Sequence, residues 1–330
     1  MRNPSASTAI DTAIAQFVAH QRVFGRNYYH EEYALRALGR FVVRQGATDL
    51  SASLFECWSR DQRHLSPNTL YRRQLLVRKF CQFRRRRDPR VFVPDPSSFA
   101  RPRPYPPPVI VTPAQVAAML KAVNELGPSR WTPLRSAVMR IAVVLLYTAG
   151  LRRGELVRLQ LADVDAHEGV LHIRQSKCHK SRWVPLSNDA RRELRAYLGK
   201  RLRKPYGLQP TAPLLCNGSH ICGHTGWHAF CGASLAQGLK SLFDRANVRD
   251  SQGRRPRVQD MRHSFAVQAL IRWYRHGDDV QTHLPKLALY MGHVSIVSTA
   301  YYLHFIPEVA TLASERFDRR FSHLIDSGAL

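Results

Sequence analysis

Residues 134–156 read LRSAVMRIAVVLLYTAGLRRGEL. Wound into a helix, the stretch from Ala137 to Thr148 is apolar almost all round, and Arg140 is its only charge. Such a helix belongs inside a core. Its longest apolar run, Ile141 to Leu151, falls well short of the ~20 residues that a membrane-spanning helix needs. Arg152 and Arg153 follow it directly. An arginine at the mouth of a buried helix needs a buried counter-charge or an anionic ligand. Glu155, one turn further on, can supply the first, as a structural ion pair or as the support of a ligand-binding arginine.

On either side of this stretch the chain divides at proline. Nine of its 20 prolines lie between Pro89 and Pro113. That composition excludes helix and favours extended geometry, so residues 90–111 are expected to form a linker. It separates a helical domain over 1–89 from an α+β domain over 112–330. In the first, helical spacing predicts elements over ASTAIDTAIAQFVAHQ, HEEYALRALGRFVVRQG (stopped by Gly46), SASLFECWSRDQ and LSPNTLYRRQLLVRKFCQFRRRR. Ser66 is a good N-cap for the last, with Pro67 at its first position. Leu70, Val77, Phe80 and Cys81 would face inward. Arg72, Arg73, Arg78, Lys79 and Arg84 to Arg87 would project outward.

In the second domain Thr112 caps and Pro113 begins a helix with an apolar stripe at Val116, Met119, Leu120 and Val123. GVLHIRQSKCHKSRWVPLS reads as two strands around a polar turn. Further helices are expected over Asp189–Leu202, His228–Ala246, Met261–Trp273, Leu284–Tyr290 and Pro307–Leu324. The predicted fold is mainly α with a small antiparallel β-sheet.

Lys+Arg total 50 against 24 Asp+Glu, a formal charge of +26 with pI near 10.7, while 44% of residues are hydrophobic. A folded protein with this surplus suits a polyanionic partner, because bound phosphates release counterions. The N-terminus lacks the basic start and apolar stretch of a secretion signal. The six cysteines fit reduced thiols in a cytoplasmic protein. CNGSHICGHTGWHAFC, residues 216–231, packs three Cys and three His together. Its spacings lack the CxxC pair typical of a structural zinc site, so the stretch reads as a loop with packed cysteines and no metal.

Four blocks stand out in order: TAGLRRGEL, SKCHKSRWVPL, MRHSFA and MGHVSIVSTAYYLH. Together they resemble the tyrosine recombinase (phage integrase) family over essentially the whole chain, and the last block is similar to integrases of transposons and recombinase-in-trio elements. The resemblance implies an N-terminal helical DNA-clamp (SAM-like) domain and an α+β tyrosine-recombinase catalytic domain, closing around duplex DNA. It implies that Arg152 and Arg262 are the catalytic arginines, with Glu155 the supporting acid of the first. Lys177 matches the hairpin lysine, with Lys180 and Arg182 as DNA-contacting neighbours, and His293 falls on the GH block. Nine residues beyond His293, within YLH, Tyr302 is favoured over Tyr301 as the nucleophile. In the clamp domain, Arg72, Arg73, Arg78 and Lys79 would meet DNA.

One position departs from the family. Where a histidine usually stands three residues before the second arginine, this chain has Gln259, whose amide can donate a hydrogen bond but cannot accept a proton. His263 and His293 are the candidates to take over a general base's work. The implied reaction is site-specific cleavage and rejoining of double-stranded DNA through a 3′-phosphotyrosyl link. It needs no cofactor: guanidinium groups stand in for a metal, and the exchange is isoenergetic. Four protomers, homo- or hetero-oligomeric and with sister recombinases as candidate partners, would assemble on two sites, and the C-terminal helix would dock on a neighbour. The expected setting is cytoplasmic, with the nucleoid and not a membrane. A type IB topoisomerase shares the residue set, and a non-catalytic DNA-binding relative is the reading that Gln259 supports.

Overall fold

The structure, a computed structural model, describes residues 9–127, 132–174, 181–203, 207–221 and 224–293, together with positions 295, 299, 302, 310–311 and 313–319; of 217–221 and 224–228 it describes the backbone alone. The chain forms two compact units, dividing between Pro106 and Pro107.

The first unit is a helical bundle of α1 (Ala9–Val23), α2 (Tyr29–Arg44), α3 (Ala52–Asp61) and α4 (Pro67–Arg85). Its boundaries follow local chemistry. The Ser51 and Ser66 hydroxyls accept the Leu54 and Thr69 N–H groups, capping α3 and α4. Gly46 takes φ +69 just beyond α2, and its N–H closes on the Val43 carbonyl. Ile14, Phe17, Leu38, Phe41, Trp58, Val77 and Phe80 fill the core. The proline-rich stretch is not free over the whole of 90–111. Val91 and Phe99 are buried in this same core, and Asp95 caps a short 3-10 turn at Pro96–Ser98. The longest exposed run in this stretch is residues 101–107.

The second unit is built around the apolar helix read first. It is α6 (Arg135–Thr148), and nine of its residues are buried. Around it pack α5 (Pro113–Asn124), α8 (Asn188–Leu202), α9 (Gly232–Arg245) and α10 (Asp260–His276). The short α7 (Arg153–Arg158) follows α6, and α11 (Val280–Met291) packs on α10. Thr112 and Gln115 form a reciprocal capping box at the start of α5.

Strands β1 (Val164–Asp165), β2 (Val170–Ile173) and β3 (Arg182–Pro185) make an antiparallel sheet in that order. The register pairs Leu171 with Val184 and Ile173 with Arg182. Leu171, Ile173 and Val184 are buried, so Arg182 shares the inward face. On the outer face His172 and Trp183 stack with centroids 4.3 Å apart.

A second hairpin corrects the sequence reading. Cys216–Ile221 (β4) and His224–Ala229 (β5) pair along their length, where a loop and the start of a helix at His228 were expected. Interspersed glycines and histidines hide the period-two pattern of these strands. The helix begins only at Gly232, where the Cys231 sulfur accepts the Ser234 N–H. Among the described residues no helix is long and apolar enough to cross a membrane.

The entering chain is pinned to α10. Ser264 Oγ accepts the Val111 N–H at 2.8 Å and donates to the Asp260 carbonyl at 2.7 Å, and the Asp260 carboxylate accepts the Val109 N–H at 3.4 Å. Ser264→Ala strands a buried N–H. Chemical denaturation followed by circular dichroism is expected to show a loss of ~1–3 kcal/mol.

Candidate active site

The end of α11 collects the site. Gly292, in the left-handed region at φ +65, terminates the helix: its N–H returns to the Leu289 carbonyl and that of His293 to Ala288, both at 2.9 Å. The last carbonyls of a helix have no intrahelical donor and carry the negative end of its dipole. Three guanidinium groups from three other elements answer them in sequence. Arg182 Nε, from β3, donates to the Tyr290 carbonyl at 2.8 Å. Arg262, from the first turn of α10, donates through Nη2 to the Met291 carbonyl. Arg152, at the N-cap of α7, donates through Nη2 to the Gly292 carbonyl at 3.0 Å. Arg262 Nη1 also donates to the Gly150 carbonyl at 2.6 Å, two residues before Arg152.

One carboxylate sits among these cations. Glu155 Oε2 accepts the Arg152 backbone N–H at 2.9 Å, and Oε1 accepts Arg152 Nη1 at 2.7 Å. The same carboxylate receives Arg182 in bidentate form, at 3.0 and 2.9 Å. Burial alone would raise the Glu155 pKa; the hydrogen bonds from Arg182 and from the Arg152 N–H outweigh it and hold the group at about 2. Arg262 is fully buried, and among the described residues its guanidinium donates to carbonyl oxygens only. Burial first, and the charge of Arg152 second, pull its pKa down to about 9, so it stays cationic at neutral pH under electrostatic stress. Among the described residues, three positive groups against one negative make a site ready for an anion.

Beside them lies His293, with Nδ1 2.7 Å from Thr299 Oγ1. Burial, then Arg262 and Arg152, lower its pKa to about 4, which leaves the ring neutral. Tyr302 is buried in the apolar cluster of α10 and α11, with Val267, Ile271, Leu287 and Met291. Its hydroxyl lies 2.7 Å from Nδ1 of His263.

The structure thus brings Arg152, Glu155, Arg262 and His293 to one place, and seats Tyr302 against His263 on the helix of Arg262. Gln259 stands exposed at the N-cap of α10 and makes no capping bond with its side chain. Lys177, Lys180 and Tyr301 lie outside the described residues, as do Leu312, Phe321 and Leu324 of the expected C-terminal helix. Of that helix, residues 310–311 and 313–319 are helical, and Arg316 donates to the Gly277 and Asp278 carbonyls at the end of α10, at 2.8 and 2.5 Å.

Arg182 is a correction. It was expected to face DNA, yet its side chain is 9% exposed and bridges Glu155 to α11. Strand alternation explains this, since Arg182 and Val184 share the inward face. In the first unit Arg72 and Lys79 are exposed, Arg72 donating to the Tyr105 hydroxyl at 2.8 Å. Three arginines expected to project outward turn back instead onto oxygens of their own unit: Arg73 to Gln62, Arg78 to the Pro94 carbonyl, and Arg84 in two 2.6 Å bonds to Asp49.

The model of the phage integrase family matches residues 110–308. The chain belongs to the phage integrase family. Curated relatives agree. A putative integrase/recombinase y4rB of Sinorhizobium fredii is 32% identical over 318 residues, covering 94% of this chain and 97% of its own. Tyrosine recombinase XerC of Chromobacterium violaceum is 29% identical, covering 89% and 90%. In fold the integrase is similar to the Tn1549 transposon integrase solved with circular intermediate DNA, at TM-score 0.62 and 18% identity over 94% of this chain and all of that one. This integrase is a tyrosine site-specific recombinase: it binds DNA, and breaks and rejoins it.

Two outcomes follow for the site. Glu155→Gln leaves the partly buried Arg152 and Arg182 guanidinium groups without counter-charge and is expected to cost up to ~3–5 kcal/mol. Because the folded pKa lies below the ordinary carboxylate value, the deficit against wild type is full above about pH 4.5 and shrinks as pH falls towards about 2. Denaturation curves at several pH values measure it. Gly292→Ala places a Cβ 2.9 Å from Arg182 Nη1 at a left-handed position. A drop in thermal midpoint worth at least ~1–2 kcal/mol is expected.

Proposed function

We propose that Arg152 and Arg262 clamp the non-bridging oxygens of a scissile DNA phosphate while the Tyr302 hydroxyl attacks its phosphorus. The observation that carries this reading is the anchoring of both guanidinium heads on neighbouring carbonyls, Gly292 and Met291, although the two arginines lie far apart in sequence. A guanidinium carries five N–H donors in a planar fork that matches the oxygens of a phosphate. Donors already aimed where charge develops need no reorganisation in the transition state. Their excess over Glu155 is offset when a dianionic phosphorane forms between them.

His293 serves as a neutral donor. In the tautomer whose Nδ1 accepts the Thr299 hydroxyl, the ring hydrogen sits on Nε2, available to a phosphate oxygen. Lys177 is assigned the protonation of the departing 5′-oxygen, a role that an ammonium can fill. Arg72 and Lys79, exposed on α4, are assigned to backbone phosphates. Lys180 is assigned likewise, whereas Arg182 braces the site.

Strand exchange between two duplexes takes four cuts. With one Tyr302 per protomer this corresponds to a tetramer on two DNA sites, of one chain or with sister recombinases. Nucleoid association follows from the same DNA affinity. Relaxation of the topoisomerase kind and a non-catalytic role are not favoured by the family membership.

A nicked suicide duplex carrying the terminal sequence of the encoding element tests the assignment. The wild-type chain is expected to form a covalent adduct that withstands denaturing electrophoresis. Tyr302→Phe should bind the same duplex and form none. Arg152→Ala and Arg262→Ala should each slow adduct formation by ~10²–10³. An adduct that persists in Tyr302→Phe would overturn the reading.

A further inference from the structure

The nucleophile assigned above has a base against it. The Tyr302 hydroxyl and His263 Nδ1 are 2.7 Å apart, and the two rings meet edge to face with centroids 5.5 Å apart. A buried phenol needs a partner for its hydroxyl. Most partners would be inert, but an imidazole nitrogen can take the proton. His263 follows Arg262 directly on α10, so the helix that presents the phosphate clamp also presents this nitrogen. Gln259, at the position where the family usually has histidine, is exposed and cannot accept a proton.

We propose that His263 is the general base of DNA cleavage, taking the Tyr302 phenolic proton on Nδ1 as the oxygen attacks phosphorus and returning it on rejoining. The inference rests on Tyr302 being the nucleophile. In the forward step the Tyr302 oxygen–phosphorus bond forms and the phosphorus–O5′ bond breaks. The phenolic proton passes to Nδ1, and the departing 5′-oxygen takes a proton from Lys177. In the reverse step a 5′-hydroxyl attacks phosphorus and gives its proton back to Lys177. The tyrosyl bond breaks, and the imidazolium reprotonates the phenol oxygen. Nothing is oxidised or reduced.

The surroundings suit the role. Burial is the chief cause that lowers the His263 pKa; Arg257 and Arg262 act in the same direction, and Asp260 on the same helix opposes them. His293, near enough to sense His263, is itself neutral. At neutral pH the ring is therefore uncharged, and its Nε2–H tautomer turns the Nδ1 lone pair to the phenol. Once protonated, it sits beside Arg262 and is driven to return the proton unless the attacked phosphate holds the matching negative charge.

The suicide duplex and the full chain provide the test, with adduct rates followed from about pH 6 to 9. His263→Asn is expected to cleave ~10²–10⁴ slower at pH 7. Its rate should climb about tenfold per pH unit as the phenol ionises unaided, where wild type is flat. Added imidazole should restore His263→Ala. A duplex with sulfur replacing the bridging 5′-oxygen separates base from acid, since a thiolate leaves without a proton. It should rescue Lys177→Ala and leave His263→Asn slow. His263→Gln is the second variant, and gel shift with circular dichroism shows which variants are folded and bind DNA. Cleavage by a folded His263 variant at the wild-type rate with the wild-type pH profile, or its rescue by the sulfur duplex, overturns the proposal. An adduct mapped to another tyrosine overturns the assignment of Tyr302 as well, and is told apart by the mapping.

Discussion

The site depends on a helix that ends where it does. The three carbonyls at the close of α11 would be orphans in any helix, and here each receives one arginine: Arg182, Arg262 and Arg152 in the order of Tyr290, Met291 and Gly292. A helix C-terminus favours cations. The arrangement therefore holds three positive heads together at a cost that one carboxylate and one helix end share. Side-chain partners alone would have needed more acids, and each further acid would have cancelled charge that an incoming phosphate requires.

Glu155 sets the other limit. Removing its charge leaves guanidinium groups repelling one another in a poorly solvated site; adding a second carboxylate would neutralise the clamp. Its bidentate use of Arg182 fixes the carboxylate plane, and that plane in turn orients Arg152. Arg182 thereby acts on the site through Glu155 and α11.

Much of this was legible in the sequence because it obeys local rules. The caps at Ser66 and Thr112, the stop at Gly46, the buried α6 and the Arg152–Glu155 pair all follow from residue type and short spacing. So does the inward set on α4, Leu70, Val77, Phe80 and Cys81, all of them buried. What escaped was long-range or weakly patterned. Helical spacing turned Arg73, Arg78 and Arg84 outward and the resemblance turned Arg182 to DNA, but the oxygens that capture them come from residues distant in the chain. The β4–β5 hairpin escaped because glycines and histidines blur its alternation. The contact of His263 with Tyr302 joins residues 39 apart, and no spacing rule reaches that far. Its one hint was chemical: a glutamine where a proton acceptor is usual.

The tie between the entering chain and α10 has a mechanical side. Val109 and Val111 hang from Asp260 and Ser264, which flank Arg262 and His263 on the same turn. Tension arriving along the polypeptide at Pro107 is therefore loaded onto the turn that carries the phosphate-facing guanidinium and its neighbouring imidazole before it can reach the sheet.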